Sequence, residues 1–301
     1  MKNLFISLLL VSLLAFSCEM YQQDEYEEFN VVEAYLIAGK EIPNIRLITV
    51  VPVEDKFSYS TSSYGVDNAN IEVRLLSEGP HSEIEEVIYY ELSSTGKYSA
   101  TDSHTVLPLR TYELEITFPN TNENIYAHTI VPDTFQIVNT LPDSIVYRSS
   151  EQVEVTVSES SYPERQNIFI FNAISPGPEE SKFTPFYREL FEERGRDPRD
   201  IKLLANNSSD IINEGNFKVN EDGSNTIKYP WSGFSYYEEN LLVANTMDDN
   251  VYDFVRSQSV QLGGSSLSPG EIQNVIYNIE GGIGIFGSLA SDTVAIYLKR
   301  P

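Results

Sequence analysis

Apolar and polar residues alternate one by one through much of this chain, a period that fits strands and not helices. Ile71, Val73 and Leu75 alternate with Glu72 and Arg74, and Tyr112, Leu114, Ile116 and Phe118 alternate with Glu113, Glu115 and Thr117. Successive side chains of a strand point to opposite faces, so each pattern buries one face and wets the other, as in an antiparallel sheet. Further strands are expected at 31–37, 44–51, 84–92, 98–100 and 125–130. Turn signals at Ala38-Gly39-Lys40, Gly79-Pro80 and Thr95-Gly96 separate them. Strands so short and frequent predict an immunoglobulin-like β-sandwich over residues 30–135, with Val131-Pro132-Asp133 and Leu141-Pro142-Asp143 punctuating its end.

A second β-rich domain with a helical insertion is expected over 136–301, so the fold class is mainly β with one or two short helices. Strands are read at 152–157, 167–174, 225–229, 241–245 and 293–298. Ser175-Pro176-Gly177-Pro178 breaks the chain ahead of a helix in which Thr184 caps and Pro185 takes the first position. Residues 194–200 read as a charged, Pro-interrupted loop. A second helix is expected over 248–262, with Val251, Phe254, Val255 and Gln258 on one face and Gly263-Gly264 ending it. No internal repeat or coiled coil is present.

Composition narrows function. Asp plus Glu is 45 against 20 Lys plus Arg, a formal net charge of −25. Such a body repels phosphate backbones, which excludes sequence-independent nucleic-acid binding. Hydrophobic residues at 41% suffice for a core, so global disorder is excluded. The single Cys forbids an internal disulfide and a Cys-based zinc site.

That Cys is informative by position. Lys2 is followed by an apolar run over 4–16 that is too short to span a hydrocarbon core, which needs roughly 20 residues. The run ends in Ala15-Phe16-Ser17-Cys18, which resembles a bacterial lipobox, with Phe16 where a small residue is usual. Residues 1–17 are therefore read as a signal peptide and Cys18 as the lipidated first residue of the mature chain. An ordinary signal peptide with a chance Cys is the other reading. Residues 18–29 form an acidic tether; Glu19 to Glu28 carry five acids and no base. The tract resembles those that send lipoproteins of Bacteroidota to the outer face of the outer membrane; on composition alone it is equally a soluble linker.

Several segments then resemble a known family. They are Val31-Val32-Glu33-Ala34-Tyr35-Leu36, Asn68-Ala69-Asn70-Ile71-Glu72-Val73, Gly96-Lys97-Tyr98, Thr111-Tyr112-Glu113-Leu114-Glu115-Ile116 and Tyr126-Ala127-His128-Thr129-Ile130-Val131-Pro132. Later come Tyr252-Asp253-Phe254-Val255-Arg256-Ser257 and, most specifically, Asn278-Ile279-Glu280-Gly281-Gly282-Ile283-Gly284-Ile285-Phe286-Gly287. The chain is similar to the Bacteroidota lipoproteins grouped as domain of unknown function 4249, with Ala34 where Gly is usual. The family has no established activity. The resemblance implies a place at the cell surface beside TonB-dependent outer-membrane transporters.

Motifs that would carry chemistry do not assemble. Gly282 to Gly287 matches G-x-G-x-x-G, but dinucleotide binding needs a helix next and an acid about 20 residues on. A strand follows instead, so the glycines are read as a bulged or tightly packed turn. Ser94-Thr95-Gly96-Lys97 contains S-x-x-K, yet Gly96 marks a hairpin where that chemistry wants a helix start. His81, His104 and His128 are scattered. Acidic pairs such as Glu85/Glu86 arise by chance among 45 acids and nominate no glycosidase dyad. Glu221-Asp222-Gly223-Ser224-Asn225 resembles half a calcium loop and lacks its closing Glu. No catalytic residue, metal ligand or cofactor is assigned.

The densest aromatic cluster holds Trp231, Phe234, Tyr236 and Tyr237, including the only Trp. Displayed on a loop, these rings would contact a ligand or partner; packed inward, they would fill the second core. The leading expectation is a non-enzymatic, lipid-anchored outer-membrane surface protein that binds a ligand for, or otherwise assists, a TonB-dependent β-barrel receptor. The alternatives are a surface hydrolase and an adhesin or structural surface protein.

Overall fold

The computed structural model describes residues 29–50, 64–78, 83–121, 123–261 and 274–301. The first half contributes β1 (Asn30–Ile37), β2 (Ile45–Thr49), β3 (Asn70–Leu76), β4 (Ile84–Ser94), β5 (Lys97–Ala100), β6 (Thr111–Thr117) and β7 (Asn124–Ile130). The second contributes β8 (Ser144–Val146), β9 (Val153–Val157), β10 (Ile168–Ile174), β11 (Asn206–Ser208), β12 (Ile212–Asn213), β13 (Lys218–Val219), β14 (Asn225–Tyr229), β15 (Glu238–Met247) and β16 (Ile283–Lys299). Helices α1 (Pro185–Glu193) and α2 (Pro198–Leu203) lie between β10 and β11, and α3 (Asp249–Gln261) follows β15. Lipobox Cys18, the acidic tract up to residue 28, Gly79-Pro80, His81 and Gly263-Gly264 lie outside the described residues.

The fold is mainly β, and the alternation read from the sequence sets its faces. Ile71, Val73 and Leu75 of β3 and Tyr112, Leu114 and Ile116 of β6 are all buried, while Glu72, Arg74, Glu113 and Glu115 line the other face. The antiparallel ladders β3–β4, β3–β6 and β6–β7 give the first half its immunoglobulin-like sandwich. Tyr126 and Glu280 exchange backbone bonds of 3.0 and 2.8 Å, which ties β7 to the segment ahead of β16.

Among the described residues, thirteen strands share one sheet, ordered β11-β10-β15-β16-β1-β2-β5-β4-β3-β6-β7, with β12 on β10 and β8 on β16. The expected boundary near 135 is therefore crossed by hydrogen bonds. Residues 283–289 of β16 pair in parallel with 31–37 of β1, and residues 289–298 pair antiparallel with β15. The final strand was expected only over 293–298; it starts ten residues earlier and serves both halves. One hydrophobic cluster accordingly runs from Val32 through Tyr112 and Phe171 to Leu298. A separate sheet of three strands, β13-β14-β9, stands beside the second half.

The Gly-rich stretch lies within and just ahead of this long strand, not in a nucleotide loop. Gly284 has φ +113, and a Cβ there would meet the Val32 carbonyl oxygen. At Gly287 the missing side chain lets Val251 seat α3 on β16. Asn278 acts as a strand surrogate: its Nδ2 donates to Phe286 O at 2.7 Å and its Oδ1 accepts from Phe286 N at 3.1 Å.

Three local expectations are corrected. Thr184 occupies the N-cap position of α1, but its hydroxyl donates to the Phe234 carbonyl at 2.9 Å rather than capping. The charged 194–200 loop is interrupted by α2, because Asp197 accepts from Arg199 N at 2.9 Å and Pro198 is pre-set for the first helical position. On α3, Gln258 is exposed and Ser257 is buried instead, its hydroxyl accepting from Ile276 N at 2.9 Å and donating to Asp253 O at 2.7 Å.

Candidate functional site

The aromatic cluster expected to meet a ligand or partner mostly faces inward. Phe234 and Tyr236 are fully buried, and Tyr237 is buried against Tyr147. Tyr236 stacks on Phe183 with centroids 4.6 Å apart, and its hydroxyl donates to Ile201 O at 2.6 Å. These rings dock the helical insertion onto the sheet, since Phe183, Tyr187, Phe191 and Tyr236 form their own buried cluster. Rings with no exposed face contact no ligand, so Phe234 and Tyr236 are core residues, while the mostly buried Tyr237 still borders a shallow concavity with Lys182 and Glu238. Trp231 is half-buried and packs edge-on against Tyr147.

The turn that carries Trp231 does border a cleft. Pro230, Ser232 and Gly233 form one wall of a concavity of about 720 Å³ between the β10–β11–β12 edge and the β13–β14–β9 sheet. Its floor is apolar: Phe171, Phe217, Ile227 and Tyr229. Phe217 meets Phe171 edge-on at 6.0 Å, and Phe171 stacks on Phe169 at 5.7 Å. Burial holds the Tyr229 hydroxyl well above the usual tyrosine range, with Tyr187 adding to it, so it stays a neutral hydrogen-bonding group.

The rim is polar. Asn207, Ser208, Ser209 and Asp210 come from β11 and the turn after it. Asn216 ends a 3-10 turn that Asn213 caps by accepting from Gly215 N at 2.8 Å, which delivers Lys218 to the opposite side. Thr226 and Lys228 project from β14. Asn207 Nδ2 reaches the Tyr187 hydroxyl at 2.6 Å, Gly233 O at 2.8 Å and Ser232 O at 3.2 Å, so one amide clamps the wall. Lys228 pairs with Glu154 at 3.3 Å. Among the described residues, Lys218 has no carboxylate partner and the Asn216 amide makes no hydrogen bond.

Chemically, such a lining is suited to a polar ligand. An apolar floor supplies contact area, while amides, hydroxyls and two ammonium groups orient what lies on it. Asp210 is the only carboxylate in the lining, and no His lines it. Sequence reading missed the cleft. The polar run Asn206-Asn207-Ser208-Ser209-Asp210 was its one local signal; proximity to 216–218 and 226–233 is created by the sheets.

The other motifs take structural places. His104 is buried, with Nε2 at 2.9 Å from the Tyr112 hydroxyl, and His128 is exposed on β7. Gly96 forms the β4–β5 turn with φ +66, which leaves Ser94 and Lys97 paired across a hairpin. Asp222 accepts from Ser224 N and Oγ at 3.1 and 2.6 Å, and these bonds hold its carboxyl below the usual range; the half calcium loop is the β13–β14 turn. Among the described residues, no group of three or more His, Cys, Asp or Glu gathers to hold a metal, and no helix is long and apolar enough to cross a membrane.

A family model described as a domain of unknown function, DUF4249, matches residues 16–294. No curated protein matches the chain. Among solved structures, Salmonella α-2-macroglobulin reacted with methylamine is 7% identical with a TM-score of 0.25, over 90% of this chain and 15% of that one. Elastase-activated α-2-macroglobulin of Escherichia coli is 8% identical with a TM-score of 0.24, over 91% and 20%. Three N-terminal domains of the bacteriophage RB49 outer capsid protein Hoc are 9% identical with a TM-score of 0.22, over 91% and 71%. The chain thus spans about a fifth or less of either macroglobulin. Likenesses this slight carry no functional inference.

Proposed function

We propose, from the premise that the chain belongs to the DUF4249 family, that it is a lipid-anchored outer-membrane surface protein and a non-enzymatic, ligand-binding accessory of a TonB-dependent β-barrel receptor. The observation that carries the ligand-binding part is the cleft beside β14. Its volume of about 720 Å³ falls within the roughly 300–1,000 Å³ of small-molecule sites. Its lining of amides, hydroxyls and lysines over an aromatic floor suits retention of a polar ligand. A glycosidase would need two carboxylates flanking the bond to be cut, and the lining offers Asp210 alone.

Anchoring rests on the sequence. The lone Cys follows a short apolar leader, and the tract after it is acidic and devoid of bases. An acylated Cys18 would hold the sandwich at the membrane surface on a solvated tether. The receptor is tested by affinity capture of the tagged chain from detergent-solubilised outer membranes. Co-purification of a β-barrel receptor is the expected result, and its reproducible absence contradicts the proposal.

A further inference from the structure

We infer that Asp248, Thr129 and Ser288 form a buried proton relay that is complete only while Asp248 carries its proton, so that the seam between the two halves is a latch that tightens on acidification. All three side chains are fully buried. They come from three places: Asp248 from the β15–α3 junction, Thr129 from β7, and Ser288 from β16 one residue before its pairing passes from β1 to β15.

The relay is read by counting hydrogens. Asp248 Oδ2 lies 2.5 Å from Thr129 Oγ1, Thr129 Oγ1 lies 2.7 Å from Ser288 Oγ, and Ser288 Oγ lies 2.9 Å from Ile130 O. Each of these three contacts needs one hydrogen. The two hydroxyls own one each, and the Ile130 carbonyl owns none. With Asp248 protonated the chain closes: the carboxyl donates to Thr129, Thr129 to Ser288, and Ser288 to Ile130 O. With Asp248 ionised, three contacts share two hydrogens, and one pair of oxygens faces each other without a proton. A buried polar contact left unmade costs the full desolvation of its groups.

The surroundings compensate an anion only in part. Asp248 Oδ1 caps α3 by accepting from Val251 N at 2.8 Å, and Asp248 N donates to Ser288 O at 3.1 Å. On the same helix, Asp249 adds a negative charge, although its own carboxylate is paired with Arg165 Nε at 2.5 Å. The other end of Arg165 donates to Met247 O at 2.8 Å. Tyr162, on the segment packed alongside, accepts from Asp249 N at 3.4 Å, and burial and both aspartates push its hydroxyl up. Tyr35 on β1, opposite Gly287, is pushed up to about 12 by burial and by Glu33. His128, next to Thr129 on β7, is exposed on the outer face.

Burial dominates over the bonds from Thr129, Val251 and Ser288 and moves the Asp248 carboxyl up to about 6. Between the ordinary carboxylate value near ~4 and that level, the folded chain holds a proton that the unfolded chain has released. Stability from this site is therefore greatest at low pH, falls as pH rises through that window, and stays reduced above it. An ordinary ionised helix cap has the opposite slope.

Asp248→Asn separates the two. Its amide donates to Thr129 as the acid does, and its carbonyl still accepts from Val251 N. In urea titrations of the full mature chain at about pH 5 and about pH 8, the folding constant of D248N relative to wild type should rise about 10-fold from the lower to the higher pH. A ratio that is flat with pH, or that moves toward wild type as pH rises, overturns the inference. Should D248N fail to fold, carbon-13 NMR of aspartate carboxyls in the wild type decides it. One carboxyl titrating above about pH 5 is expected; all titrating below that overturns the relay.

Discussion

Gly284 faces Val32 across the parallel β1–β16 ladder so closely that a Cβ at 284 would lie 2.0 Å from the Val32 carbonyl oxygen. That pairing sews the end of the chain to its beginning, and with β15 on the other side of β16 it joins the two halves into one sheet.

Gly284→Ala should therefore cost roughly 3 kcal/mol or more, since it combines a φ of +113 with a backbone clash at the centre of the fold. Urea denaturation followed by circular dichroism checks this. An unchanged midpoint would show that β1 and β16 do not approach as described.

Asn207→Ala should loosen the cleft wall. One amide serves the Tyr187 hydroxyl and the Ser232 and Gly233 carbonyls. Its loss should cost about 1–3 kcal/mol and raise hydrogen exchange over 231–234. Exchange there matching the wild type would remove Asn207 as the clamp.

Alternation alone made much of this legible. The inward positions of β3 and β6 follow from period two, and each strand expected before residue 131 lies within two residues of an observed one. What failed had a physical cause each time. β16 looked short because glycines at 281, 282, 284 and 287 read as turn residues, whereas close strand and helix packing demands them. Trp231 to Tyr237 could be read either as a display loop or as core, because composition does not say which way a ring points, and the buried Phe234 and Tyr236 take the second reading. The cleft was invisible because its walls come from β10–β12, the 214–218 turn and β14, which only the tertiary fold brings together.

Asn216→Trp should fill the cleft without disturbing the fold. Asn216 is exposed, so stability should change by no more than about 0.5 kcal/mol. Expressed in a deletion strain, the variant should fail to restore the uptake or growth phenotype that the wild type restores. Full complementation would detach the cleft from function.

Acid should open the β13–β14 turn. Ser224 holds the Asp222 carboxyl below its ordinary value. The turn is therefore favoured above about pH 4, and that advantage is lost as pH falls through the lowered value. Amide exchange at Ser224 should accelerate on acidification more in the wild type than in Asp222→Asn, after correction for intrinsic rates. Equal acceleration in both would free the turn from this carboxylate.

Mass spectrometry of the amino-terminal peptide, taken from protein purified out of the membranes of cells that make it, bears most directly on the proposed anchor. A peptide that begins at Cys18 and carries acyl chains is the predicted result. An intact Met1, or a bare unacylated start, would contradict it.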